Sequence, residues 1–113
     1  MITIYHNPRC RKSREGLAIL EESGKQFEII RYLDNPLSKE EIKKILAILE
    51  IQATDLIRKG EAIWKEQYKG KELTENNLLE AMANHPQLIE RPIVTTNNKG
   101  IIGRPPENIK SIL

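Results

Sequence analysis

Apolar residues fall along this chain in two rhythms. The opening run Met1-Ile2-Thr3-Ile4 is short and apolar and predicts a buried strand, Ile2–Tyr5. After Pro8 the spacing turns helical. Leu17, Ile19 and Leu20 supply an apolar face, and Gly24 is the expected C-terminal stop. Residues 27–33 are rich in β-branched and aromatic side chains and predict a second strand. Strand, helix and strand within about 30 residues make a βαβ unit, with parallel strands and a right-handed crossover. Asp34-Asn35-Pro36 breaks the pattern. Ser38 and Glu41 form a capping box, and Ile42, Ile45, Leu46 and Leu49 behind it share one helical face, a core stripe. Residues 52–86 stay helical but interrupted. Short helices are expected over 54–58, 61–68 and 74–84, with Thr74 as an N-cap and Trp64 and Tyr68 turned inward. A strand over 93–96, turn residues at 97–100 and a partner strand over 101–103 predict an antiparallel hairpin. Pro105-Pro106-Glu107 opens a last short helix carrying Ile109, Ile112 and Leu113.

This order is that of a thioredoxin-like α/β fold: a four-stranded mixed sheet, flanking helices and an inserted helical region at roughly residues 38–86. A length of 113 residues supports one domain. Lys and Arg total 18 against 16 Asp and Glu, so the net charge of +2 calls for neither nucleic acid nor membrane as partner. There is no apolar run of about 18 residues and no leader pattern. A single cysteine builds no disulfide framework, so a reducing, cytoplasmic setting is expected.

That cysteine is the informative residue. Cys10 falls where the first strand turns into the first helix, and the free N–H groups and dipole of a helix N-terminus favour an anion there. Arg9, Arg11, Lys12 and Arg14 surround it in sequence. A lone cysteine is more often a small buried hydrophobe. Helix N-termini with basic neighbours, however, lower a thiol pKa from about 8.5 to roughly 3.5–7.5. Other thiol chemistries fit poorly. A phosphatase-type loop requires arginine at position 16, which is glycine. A dithiol motif requires cysteine at position 13, which is serine. One cysteine and two distant histidines make no spaced metal set. What remains is a monothiol that completes its chemistry with an outside thiol. Arg58, Arg91 and Arg104 offer planar forks suited to oxyanions. Arg91 precedes Pro92, a bond that adopts cis readily.

Four stretches carry a family resemblance: His6-Asn7-Pro8-Arg9-Cys10-Arg11-Lys12-Ser13-Arg14, Leu56-Ile57-Arg58-Lys59-Gly60-Glu61, Glu90-Arg91-Pro92-Ile93 and Ile102-Gly103-Arg104-Pro105-Pro106-Glu107. Together they resemble the glutaredoxin-like arsenate reductase family over essentially the whole chain. The resemblance implies Cys10 as nucleophile, Arg58, Arg91 and Arg104 around an oxyanion, and His6, Asn7, Arg11 and Ser13 in support. It implies a cis Arg91-Pro92 bond. It also implies arsenate or a similar oxyanion as substrate, glutathione as external thiol donor, glutaredoxin as partner, and no bound cofactor or metal.

Arg11-Lys12 stands where many detoxifying members carry Gly-Thr, and Leu113 closely follows the last motif. Both features place the chain nearer a short branch of the family, related to Spx-like proteins. Two other readings therefore stay open: a Spx-like regulator that binds RNA polymerase, and a monothiol oxidoreductase acting on another substrate such as glutathionylated proteins.

Overall fold

The computed structural model describes residues 1–113. In chain order it has β1 (Ile2–Tyr5), α1 (Arg11–Ser23), β2 (Phe27–Ile30), α2 (Lys39–Leu49), α3 (Ala53–Leu56), α4 (Ala62–Gln67), α5 (Glu75–Asn84), β3 (Ile93–Thr95) and β4 (Gly100–Ile102). Stretches of 3-10 helix occupy Pro86–Leu88 and Pro106–Ile112. The chain divides into two compact units, one of Met1–Asn35 and Arg91–Leu113, the other of Pro36–Glu90.

The first unit holds a four-stranded mixed sheet in the order β2-β1-β3-β4. β1 and β2 are parallel, with Tyr5 opposite Ile30. β3 runs antiparallel to both β1 and β4. Ile4 and Val94 face each other across β1 and β3, and with Leu20 of α1 and Ile109 they form a fully buried core. Burying each such side chain stabilises the fold by about 1.5–3 kcal/mol. Gly24 ends α1 in the left-handed region at φ 73°, where glycine carries no Cβ penalty. β2 is shorter than its apolar run predicts. The Arg31 carbonyl accepts from the N–H groups of Asp34 (3.1 Å) and Asn35 (3.0 Å), so the chain turns after Ile30, and Tyr32 is wholly buried within that turn. The last helix is 3-10 rather than α. Pro105 and Pro106 remove two amide donors, and the Asn108 N–H returns to the Pro105 carbonyl at 3.0 Å.

The second unit is helical. Ser38–Glu41 and Thr74–Asn77 are both complete capping boxes. Ile42, Ile45 and Leu46 are buried while Leu49 is only partly so, and α2 packs on α5. Trp64 is buried and stacks on half-buried Tyr68, ring centres 5.6 Å apart. An isolated bridge joins Ile57 to Ile89, flanked by hydrogen bonds from the Arg58 N–H to the Leu88 carbonyl (2.7 Å) and from the Glu90 N–H to the Leu56 carbonyl (2.8 Å).

Candidate active site

β1 delivers the chain into a loop that sets Cys10 at the N-cap of α1, in extended backbone. The loop is tied from inside. Asn7 Oδ1 accepts the Arg9 N–H at 3.0 Å, and the Asn7 carbonyl accepts the Cys10 N–H at 3.0 Å. The Arg14 guanidinium donates to the Pro8 carbonyl at 3.0 Å. Beneath the loop lies Ser13, fully buried on the first turn of α1. Its hydroxyl oxygen accepts the Asn7 N–H at 2.9 Å and shares a 2.7 Å hydrogen bond with His6 Nδ1. The His6 N–H in turn donates to the Ile30 carbonyl, continuing the β1–β2 pairing by one residue. Ser13 therefore couples strand, loop and helix at one atom. In a buried setting, losing one partner of such a network leaves another polar group unsatisfied.

The Cys10 side chain is half-buried. Burial pushes its thiol pKa up, but the Ser13 N–H, a hydrogen bond and charge from the Arg91 guanidinium, and the Lys12 N–H outweigh this and hold it below the ordinary value. The neutral thiol closes no cap hydrogen bond of its own, so the helix N–H groups act on the anion. His6 is held below its ordinary value by burial first, then by the charges of Arg31 and Arg14, against a smaller opposing contribution from the Ser13 backbone. It is accordingly neutral at pH 7.

The cation acting on the sulfur is thus Arg91, distant in sequence, rather than the cluster next to Cys10. Arg9, Arg11, Lys12 and Arg14 are all exposed, and Lys12 contributes through its backbone. Arg11, expected in support of the site, is 84% exposed and pairs with Glu15 at 3.1 Å along the outside of α1. The Arg91-Pro92 bond is cis, as expected, and Arg104-Pro105 is cis as well. The Arg104 guanidinium donates to the Arg91 carbonyl at 3.3 Å, and the Gly103 N–H to the Pro92 carbonyl at 2.8 Å. Arg91 and Arg104 are therefore neighbours. Arg58 belongs to the second unit, where it is half-buried with Nε 3.8 Å from the Glu61 carboxylate.

Two glycines that sequence reasoning did not single out set this geometry. A Cβ on Gly16 would stand 2.8 Å from Pro92 Cγ and 2.9 Å from Ile109 Cδ1. One on Gly103 would stand 2.9 Å from both atoms. The bare backbone of α1 thus lets Pro92, and with it Arg91, approach the helix that carries Cys10. The signal available in the sequence was a glycine inside an amphipathic helix, which marks close packing.

These features define a class: a thioredoxin-like protein with a single activated thiol at the first helix N-terminus and an arginine before a cis proline. Comparison with known proteins gives the family. The model of the ArsC family matches residues 5–112. A protein of Neisseria meningitidis serogroup A named arsenate reductase is 44% identical, the match covering 99% of this chain and 97% of the relative. YfgD of Escherichia coli K12 is 43% identical over 99% of this chain and 96% of its own length. A solved structure of arsenate reductase from Vibrio cholerae superposes with a TM-score of 0.95 at 44% identity, covering 99% of this chain and 97% of that one. The chain belongs to the ArsC family.

Proposed function

We propose that this protein is an oxidoreductase of the arsenate reductase type, using glutathione and glutaredoxin as thiol donors. The observation that carries the reading is Cys10, half-buried at a helix N-cap, with its thiolate favoured by helix N–H groups and by Arg91. The family and the relatives named arsenate reductase support the substrate.

In this scheme the Cys10 thiolate attacks the arsenic of arsenate, and one oxygen leaves as water. The helix N–H groups and Arg91 that stabilise the thiolate then face the oxyanion of the adduct. Arg104, beside Arg91, adds positive charge to it. Preorganised donors of this kind commonly supply the largest part of such a rate enhancement. The glutathione thiol then displaces a second oxygen as water, so that arsenic is bonded to both Cys10 and the glutathione sulfur. Glutaredoxin's thiolate attacks that glutathione sulfur, forming the disulfide and leaving the electron pair on arsenic, and water displaces the Cys10 thiolate as arsenite leaves. Over the cycle arsenic gains two electrons, passing from As(V) to As(III), and two thiol sulfurs lose them on joining in a disulfide. With no second cysteine in the chain, both later thiols come from outside.

The test is arsenite formation from arsenate with glutathione, glutaredoxin and a reducing system. The intact protein is expected to turn over and Cys10→Ser to give only background. No arsenite above background from the intact protein would overturn the reading.

A further inference from the structure

A cavity of about 380 Å³ opens beside the cysteine loop, and none of the residues assigned to the oxyanion by charge enters it. One wall is the loop His6, Asn7, Pro8 and Arg9, which ends immediately before Cys10. The other is the turn after β2, with Arg31 and Asp34. The placement follows from topology. β1 and β2 are parallel neighbours, so the segments leaving their carboxyl ends flank one crevice, where open α/β sheets commonly seat ligands. The turn that stops β2 at Ile30 directs Arg31 and Asp34 to this wall.

The charges there are uncommitted. Arg9, Arg31 and Asp34 are exposed, and none of the three forms an ion pair with another residue. Two guanidiniums and one carboxylate around a cavity complement a small molecule with two carboxylates and one ammonium. An inorganic oxyanion has no use for Asp34. The volume lies within the range of small-ligand pockets, about 300–1,000 Å³. The loop joins the cavity directly to the cysteine, because Asn7 lines the cavity and its carbonyl accepts the Cys10 N–H at 3.0 Å.

We propose that the cavity bounded by Arg9, Arg31 and Asp34 is the subsite for the small peptide thiol, Arg9 and Arg31 taking its carboxylates and Asp34 its ammonium group. The assignment rests on the glutathione-dependent reading above and adds where that co-substrate sits. It makes Arg31 and Asp34 specificity residues for the donor, separate from the arginines that serve the oxyanion.

The experiment uses S-methylglutathione, which cannot react, titrated calorimetrically into the full-length Cys10→Ser protein. Saturable binding is expected, weakened at least about tenfold by Arg31→Ala and also by Asp34→Ala. Arg31→Lys should retain part of it, and Lys25→Ala, at the far end of β2, should match the parent. Esterifying both ligand carboxylates should abolish binding, an arm that requires no protein variant and so stands even if the alanine variants unfold. No saturable binding, equal binding by Arg31→Ala, or equal binding of the ester would overturn the subsite. Arsenite formation by the intact protein separates the two ideas. Turnover without S-methylglutathione binding overturns the subsite alone, whereas binding without turnover overturns the arsenate reading alone.

Discussion

Cys10 is anionic more readily than a free thiol for reasons a few ångströms across. Burial opposes ionisation, and the Ser13 and Lys12 N–H groups with Arg91 reverse the balance. Its alkylation rate should therefore rise with a midpoint below about 8.5, the value of a free thiol. A midpoint at or above it would contradict the site as described. Arg91→Ala should move the midpoint upward, while Arg11→Ala, whose side chain pairs with Glu15 outside the helix, should leave it in place. The same shift has a stability sign. A depressed thiol pKa in the folded state contributes stability that is present above the unfolded value and lost as pH falls through the folded one. His6 behaves alike at lower pH. Its folded value lies below the ordinary 6.5, so protonation favours the unfolded chain and stability falls as pH drops below 6.5. Urea midpoints measured across that range should decline in the parent and decline less in His6→Gln. Equal slopes would assign the acid sensitivity to other groups.

At the level of elements, the contact between α1 and Pro92 decides whether the thiol and Arg91 meet. Gly16→Ala would put a methyl group 2.8 Å from a buried proline ring, an overpacking that typically costs about 1–3 kcal/mol. It should lower the urea midpoint and also raise the Cys10 alkylation midpoint, because the helix must move from Arg91. A surface change on the same helix, Ala18→Ser, should do neither. Caps offer a simpler case. Ser38→Ala removes the hydroxyl that accepts the Glu41 N–H at 3.1 Å and should cost about 0.5–2 kcal/mol. Most elements were legible because their signals are local. A short apolar run marked β1, a capping box marked α2, Thr74 as N-cap marked the start of α5, and Gly24 marked the end of α1. The end of β2 was not, because Tyr32 and Leu33 continue the aromatic and apolar pattern of a strand. A turn closed on the Arg31 carbonyl overrides that propensity. The 3-10 geometry after Pro105 was missed because a helical apolar pattern does not report missing amide donors.

For the whole molecule, the mixed sheet carries the candidate site. Antiparallel pairing of β3 with β1 brings the segment around Arg91 to the strand whose end leads into Cys10, and the hairpin to β4 returns Arg104 beside it. Sequence could name Cys10, Arg91 and Arg104 as candidates by residue type and neighbours. It could not say which cation bears on the sulfur, because charge acts through space and the four arginines and lysines closer in sequence are exposed. Nor could it show the cavity beside Arg31 and Asp34, whose walls belong to different strand ends. The central claim is that Cys10 and Arg91 form one oxyanion-binding thiol site, and anion protection of Cys10 tests it most directly. Alkylation of the intact protein is followed at fixed pH against increasing arsenate, with phosphate and sulfate alongside. Arsenate should protect Cys10 saturably. Arg91→Ala should weaken that protection roughly tenfold to a hundredfold, the loss of one hydrogen bond to a charged group, and Lys25→Ala should leave it unchanged. If arsenate gives no protection, or if Arg91→Ala and Lys25→Ala are protected alike, the account of the site is wrong.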